Sequence, residues 1–202
     1  MKLPPSSAGF VAIVMVMLAL LPLSTDLYLA SLPGLSRYFN SSISEVQLTL
    51  SVFVAGFALS QLVLGPLSDR YGRRPVLLAC SALYVFAGLA CMLADSMATL
   101  LVARFFQAIG AYGGTVVGRA IVRDTYGAGG TARMLAYIHA GVALAPILGP
   151  SLGGTLEMWF GWRANFALLA GVGSVLLACV WLLLAETNRQ RDPRATEVKP
   201  ML

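Results

Sequence analysis

Gly65-Pro66-Leu67-Ser68-Asp69-Arg70-Tyr71-Gly72-Arg73-Arg74-Pro75 is the stretch on which the reading of the whole chain turns. It holds one acid and three arginines in a very short turn, flanked by apolar runs at about 44–64 and 76–94. Gly65 and Gly72 allow close approach and unusual dihedrals. Asp69 is placed to pair with Arg73 across one turn, or to accept hydrogen bonds at a neighbouring helix end. Pro75 opens the second run, where its missing N–H costs little. Arginine abundance alone describes any basic loop on the inner side of a membrane, so the neighbouring sequence has to say whether there is a membrane.

It does. Of 202 residues, 58% are hydrophobic and 11% charged, and the mean hydropathy is +0.79. Soluble domains average roughly 45–50% apolar and about 25% charged residues. The apolar residues fall in six blocks, at about 9–32, 44–64, 76–94, 98–122, 134–158 and 162–185. Blocks near 20 residues match a roughly 30 Å hydrocarbon core at 1.5 Å per residue. Lipid offers no partner for backbone N–H and C=O groups, so each block is predicted to be a helix. The first block follows Lys2 but lacks a small-residue cleavage site, and is read as an uncleaved span. Ser44-Glu45-Val46-Gln47 has capping-box spacing at the start of the second. Residues 1–185 thus form one transmembrane bundle, and 186–202 a polar, solvated tail.

Several functions are excluded on the same grounds. The net charge of +5 resides between apolar blocks and forms no basic face with interleaved aromatics, so no nucleic-acid partner is expected. Cys80, Cys91 and Cys179 are widely spaced inside apolar blocks, and read as small buried hydrophobes rather than a disulfide or metal framework. No nucleophile–base pair, metal set or cofactor motif is present, so the chain is not read as an enzyme and no cofactor is expected.

Orientation follows from the short loops. With the N-terminus inside, the cytoplasmic set is Lys2, Arg70, Arg73, Arg74, Arg119, Arg123, Arg133, Arg189, Arg191, Arg194 and Lys199; the outer set is Arg37 and Arg163. Eleven against two places both termini in the cytoplasm.

Two charges lie inside blocks. Asp26 precedes the outer end of the first span, and Arg104 follows the outer start of the fourth by a similar interval, so both side chains sit roughly 10 Å deep. An unpaired charge there costs about 2.5–3.5 kcal/mol on insertion scales, which direct pairing or a shared wet cavity would reduce. A carboxyl that gains and loses a proton beside a cavity suits proton coupling; a static ion pair between helices is the plainer alternative. Gln107 lies one turn from Arg104, where it can bond a substrate or another helix. His139 is expected to make a helix-to-helix hydrogen bond, while Asp95 and Glu157 are expected in solvent at outer span ends. Gly141, Ala145, Gly149 and Gly153 recur at steps of four beside Pro146 and Pro150, a smooth ridge on a kinked helix. Gly110, Gly114 and Gly118 repeat the pattern in span four.

The string 65–75 resembles the signature loop of the major facilitator superfamily, G-x-L-x-D-R-x-G-R-[RK]. Asp26-Leu27-Tyr28-Leu29 with Leu32-Pro33 resembles the end of the first span in its bicyclomycin and chloramphenicol exporters, although Ala30-Ser31 stands where those often carry a proline. Arg104 through Gly110 is similar to their fourth-span motif, and Arg119 through Asp124 to that helix's exit. Gly141, Pro146, Gly149, Pro150, Gly153 and Gly154 resemble the fifth-span antiporter motif. Trp162-Arg163 with Phe166, and Glu186-Thr187, are similar to the two ends of the sixth span.

The resemblance implies an all-α membrane protein: six transmembrane helices, a 3+3 inverted repeat, forming one half of the family's fold. It implies export of small amphipathic drugs in exchange for protons across the bacterial cytoplasmic membrane. Asp26, Tyr28, Arg104 and Gln107 would line the coupling site. Gly65, Asp69, Arg70, Gly72, Arg73, Arg74 and Asp124 would form a cytoplasmic gating cluster, and the fifth-span motif would seal the path. Relatives can carry a second acid earlier in span one, whereas Phe10 to Leu23 here holds no ionisable group. One half alone suggests a truncated or half-length form, a homodimer, or a partner polypeptide supplying the second half. A non-transporting membrane scaffold is the alternative.

Overall fold

A computed structural model describes residues 4, 7–188 and 195–196, and among these every regular element is helical. In chain order they are α1 (Ala8–Leu29), α2 (Leu32–Phe39), α3 (Ile43–Tyr71), α4 (Arg73–Met92), α5 (Met97–Val142), α6 (Leu144–Phe160) and α7 (Arg163–Leu183). The tail from 189 onward lies outside the described residues except for 195–196, as does Lys2.

Five helical stretches are long and apolar enough to cross a membrane, and one of them, Met97–Phe160, has 64 residues. Straight, it would measure about 96 Å, some three times the hydrocarbon core. Gly127 breaks it, with φ 62° and ψ −173°, a conformation that side-chain-bearing residues avoid. The contacts on either side give the directions. Arg104 lies by Ser24, and Gly114 by Met17, so the first arm of α5 (97–126) runs antiparallel to α1. Gly149 lies by Asp26 and Gly153 by Leu27, so α6 runs parallel to it. The chain therefore makes six crossings, the fifth shared by the second arm of α5 (128–142) and α6.

Four boundaries differ from the sequence reading. The first span stops at Leu29 rather than 32, and α2 follows as a separate short helix. Pro33 has no N–H to offer the Leu29 carbonyl, so α1 cannot continue through it, whereas the first turn of a new helix accepts it readily. The capping box is Ser42 with Glu45, two residues earlier than predicted: the Ser42 hydroxyl accepts from the Glu45 N–H at 3.2 Å, and Glu45 accepts from the Ser42 N–H at 2.7 Å. Third, α3 runs through Pro66 to Tyr71, leaving Gly72 as the whole turn into α4. Finally, the fifth crossing is interrupted at Ala143. Pro146 removes the donor that the Val142 carbonyl would use, and α5 ends at Val142.

Packing centres on the first arm of α5, which touches α1, α3 and α4; α7 covers α4, and α6 lies along α1. Span four does not present one small-residue stripe to one neighbour. A Cβ on Gly110 would stand 2.6 Å from the Tyr84 backbone nitrogen on α4, while one on Gly114 would stand 2.9 Å from the Met17 carbonyl on α1. Glycine lets this helix approach two partners at once.

Candidate functional site

Arg104 is wholly buried. Its guanidinium carbon lies 4.2 Å from the Phe53 ring centre, 4.3 Å from Tyr28 and 5.9 Å from Phe166. Its Nη1 donates to Gln107 Oε1 at 2.8 Å and to the Ser24 carbonyl at 3.3 Å. Nε and Nη2 have no protein partner. Among the described residues no carboxylate pairs with it, and the expected neighbour Asp26 is elsewhere.

The reason is angular. Successive helix residues rotate by about 100°, so positions two apart face nearly opposite ways. Ser24 and Tyr28, four apart, form the face of α1 turned to Arg104; Asp26, between them, points to α6. Its Cβ would be 2.7 Å from a Cβ on Gly149, and its Oδ2 is buried without a partner. The common level of the two residues along the bundle was readable from the sequence; azimuth was not.

Tyr28 joins the cage around Arg104, and its hydroxyl hydrogen-bonds Thr49 on α3. Ser24 exchanges a 2.7 Å hydrogen bond with Tyr84 of α4. Gln107 is fully buried, bonded to Arg104 and approached by Cys91 Sγ at 3.8 Å, so it links helices within the bundle. Among the described residues His139 makes no interhelical bond: exposed, it contacts the carbonyl of Leu135 one turn back in its own helix.

The ridge of the fifth crossing faces α1. Cβ atoms on Gly141, Gly149 and Gly153 would overlap Met15, Asp26 and the Leu27 carbonyl respectively. Gly154, by contrast, has open space beside it, as does Gly65 of the signature loop, so the close approach expected of Gly65 is not made among the described residues. Pro150 lies inside α6, and Pro146 in its first turn.

At the Gly72 end the charged residues converge. Gly72 adopts φ 105° and ψ 155°, which swings Arg73 back beneath α3. Arg73 is 5% exposed; its Nη1 reaches Asp69 Oδ1 at 2.6 Å and Ser68 Oγ at 2.6 Å, and its Nε reaches Asp124 Oδ2 at 3.0 Å. The predicted partners Asp69, Arg73 and Asp124 thus meet. Arg74 donates to the Trp181 carbonyl at 2.6 Å, satisfying a backbone group in the last turn of α7. Arg70 is exposed, stacks on Tyr71 at 5.4 Å and hydrogen-bonds Thr196. A polar recess lined by Asp69, Arg73, Arg119 and Arg123 lies alongside.

One member of this cluster was read from sequence only as marking the end of the sixth span. Glu186, just past α7, caps α4: its Oε1 accepts from the Arg73 N–H at 2.9 Å and its Oε2 from the Arg74 N–H at 3.2 Å. A carboxylate at a helix N-terminus is favoured by the unpaired N–H groups there. Asn188 adds a bond to the Asp69 carbonyl at 3.0 Å. An acid followed by polar residues where an apolar span ends was the available signal, but its target lies more than a hundred residues away.

The sequence matches the Major Facilitator Superfamily model over residues 14–201, and the chain belongs to that family. It is 40% identical to a chloramphenicol resistance protein of Pseudomonas aeruginosa over 84% of this chain and 41% of that protein. It is 35% identical to the multidrug resistance protein MdtL of Escherichia coli O45:K1, over 84% of this chain and 43% of that one. An uncharacterized MFS-type transporter of Bacillus subtilis, YdgK, is 36% identical over 92% and 48%. The chain spans about half the length of these curated relatives. Among solved structures, the human organic anion transporter MFSD10 superposes with a TM-score of 0.75 over 95% of this chain and 51% of its own, at 24% identity. The proton:xylose symporter XylE gives 0.71 over 91% and 46%, at 17% identity. The fold is therefore that of one half of a major facilitator transporter, an integral membrane protein and not an enzyme.

Proposed function

We propose that the chain is the first half of a drug:proton antiporter that exports small amphipathic compounds, chloramphenicol-like or bicyclomycin-like, from the bacterial cytoplasm. Residues 1–185 are its six-helix unit and 186–202 the start of a linker; both termini face the cytoplasm, by the excess of Lys and Arg at the Gly72 end. The names of the resistance relatives support the substrate class. One observation carries the coupling: Asp26 is an intramembrane carboxyl with an unpartnered oxygen and no neutralising cation, since Arg104 is turned away from it. A carboxylate in that setting is costly as an anion and cheap as an acid, so a proton and a cationic or polar drug group can alternate there.

A second half, covalently attached, supplied by another chain or provided by a second copy, closes the cavity, because family substrate sites lie between halves near the midplane. Asp26 on the α1–α6 seam then faces that space. The cluster around Arg73 ties the α3–α4 turn to α5 and to the segment after α7, and has to loosen when that end opens. Gly141, Gly149 and Gly153 hold α1 and the fifth crossing together as one rigid element.

The test is drug resistance in cells expressing the protein, with membrane levels measured in parallel. Asp26→Asn is expected to abolish resistance at unchanged expression. Wild-type protein that inserts but confers neither resistance nor drug-linked proton movement would favour a membrane scaffold. Crosslinking or native mass measurement identifies what supplies the second half.

A further inference from the structure

The end of α1 that carries Asp26 is poorly held by its own helix. Pro22 lies inside α1 and offers no N–H to the Leu18 carbonyl, so the ladder is interrupted just before the last two turns. On the α6 side these turns meet glycines. A Cβ on Gly149 would stand 2.7 Å from the Asp26 Cβ, and one on Gly153 would stand 2.7 Å from the Leu27 carbonyl oxygen. Such a ridge gives close contact but no side chain to grip, and Asp26 Oδ2 has no hydrogen-bond partner. What fixes the rotation of this segment lies on its other face.

Two hydroxyl pairs occupy that face, and they are built alike. Ser24, fully buried, gives its proton to the Leu20 carbonyl at 2.6 Å, so in its 2.7 Å contact with Tyr84 the tyrosine O–H is the donor. Thr49 of α3, also fully buried, gives its proton to the Val46 carbonyl at 2.6 Å, so the Tyr28 O–H donates to Thr49 Oγ1. One pair ties α1 to α4 and the other, a turn further on, ties it to α3. Tyr84 is itself wedged in place. A Cβ on Gly110 of α5 would stand 2.6 Å from its backbone nitrogen, and one on Gly173 of α7 would stand 2.6 Å from its Cδ1. Arg104 adds a bond to the Ser24 carbonyl at 3.3 Å. Hydrogen bonds are directional, and away from water a broken one is not replaced, so these pairs hold an angle as well as a distance.

We infer that Tyr84 and Thr49 are positioning residues for Asp26. Acting through Ser24 and Tyr28, they fix the rotation of the last two turns of α1 and so keep the carboxyl turned to α6 and away from Arg104. Cutting one pair leaves the segment pivoting on the other. Cutting both frees it to turn about Pro22, while Asn165 of α7 still holds Ser31, just past the helix, at 2.7 Å. The inference rests on the antiport reading for what Asp26 does, but not for where it points.

Infrared difference spectroscopy of the full chain in lipid vesicles reads the carbonyl band of the protonated Asp26 carboxyl, identified by its loss in Asp26→Asn. Tyr84→Phe and Thr49→Val each remove one hydroxyl with little change of shape and no change of charge. Each is expected to shift or split that band, and the double variant to do so most. Thr49→Ser keeps the hydroxyl and is expected to keep the wild-type band. Gly173→Ala pushes the Tyr84 ring without altering a polar group, and is expected to act like Tyr84→Phe. Leu77→Ala loosens the buried face of α4 two turns from Tyr84 and is expected to leave the band in place. The same shift in Leu77→Ala would mean general loosening and overturns the inference, as does a wild-type band in folded Tyr84→Phe and Thr49→Val proteins. In vesicles that show drug-linked proton uptake, Thr49→Val is expected to slow it several-fold and Thr49→Ser to restore it; equal uptake in all three also overturns it. Absence of any linked uptake in wild type sinks the antiport reading instead, and the infrared band still decides whether the two hydroxyl pairs aim Asp26.

Discussion

Arg73 and Arg104 are both nearly or wholly buried arginines at helix surfaces, and the protein treats them in opposite ways. Arg73 sits between two carboxylates, at 2.6 and 3.0 Å. Arg104 has none; rings of Tyr28, Phe53 and Phe166 surround it, and two of its donors are left without protein partners. The difference follows from depth. At the end of a bundle, carboxylates from a turn, a helix exit and a tail can converge while remaining partly hydrated. Between helices, a second charge would have to be desolvated as well, and aromatic faces supply negative potential without that cost. One arginine is a joint between segments, the other a filler of the core.

The contrast can be broken by mutation. Arg73→Met removes the cation that bridges Asp69 and Asp124. The expected loss is about 2–3 kcal/mol, below the 3–5 kcal/mol of fully buried pairs because the Asp69 side chain is 43% exposed. Denaturant titration in detergent, followed by tryptophan fluorescence, measures it, and adding Asp69→Asn and Asp124→Asn should recover part of the loss. Arg104→Met orphans no carboxylate and fills a similar volume, so its stability is expected within about 1 kcal/mol of wild type by the same measurement. A loss as large as that of Arg73→Met would mean that a hidden counter-charge exists. The smallest effect belongs to Glu186→Gln, which retains an acceptor for the α4 N–H groups but removes the charge. It is expected to cost about 0.3–1 kcal/mol, with the difference shrinking as salt is added.

Much of the fold was legible because membrane crossing is a one-dimensional property. Six blocks of the right length, an arginine-rich loop at 65–75 and the asymmetry of basic residues needed only a count along the chain. The errors arose where a break left little trace in hydropathy. The apolar run through Ala30, Ser31 and Leu32 gave no sign that Pro33 starts a new helix, and Gly127 was one glycine among several near 127–130. Of the candidate site, Asp69 and Arg73 were paired from sequence because residues four apart share a helix face, whereas Asp124 joined them only through the family resemblance. The capping role of Glu186 was missed because its partners are backbone N–H groups on α4, and backbone groups carry no sequence signal. Glu157, expected in solvent at an outer span end, is partly covered there because α2, whose Gly34 lies against its carboxylate, had not been foreseen.

From the sequence alone followed the crossings, the class of fold and the common level of Asp26 and Arg104, since 1.5 Å of rise per residue converts position into height along a span with no knowledge of neighbours. Tertiary structure decided which way each charge points and what it meets. A rotation of 100° per residue separates Asp26 from Ser24 and Tyr28, and only the packing of α5 on one side of α1 and α6 on the other turns that rotation into an arginine caged by rings and an acid beside a glycine ridge.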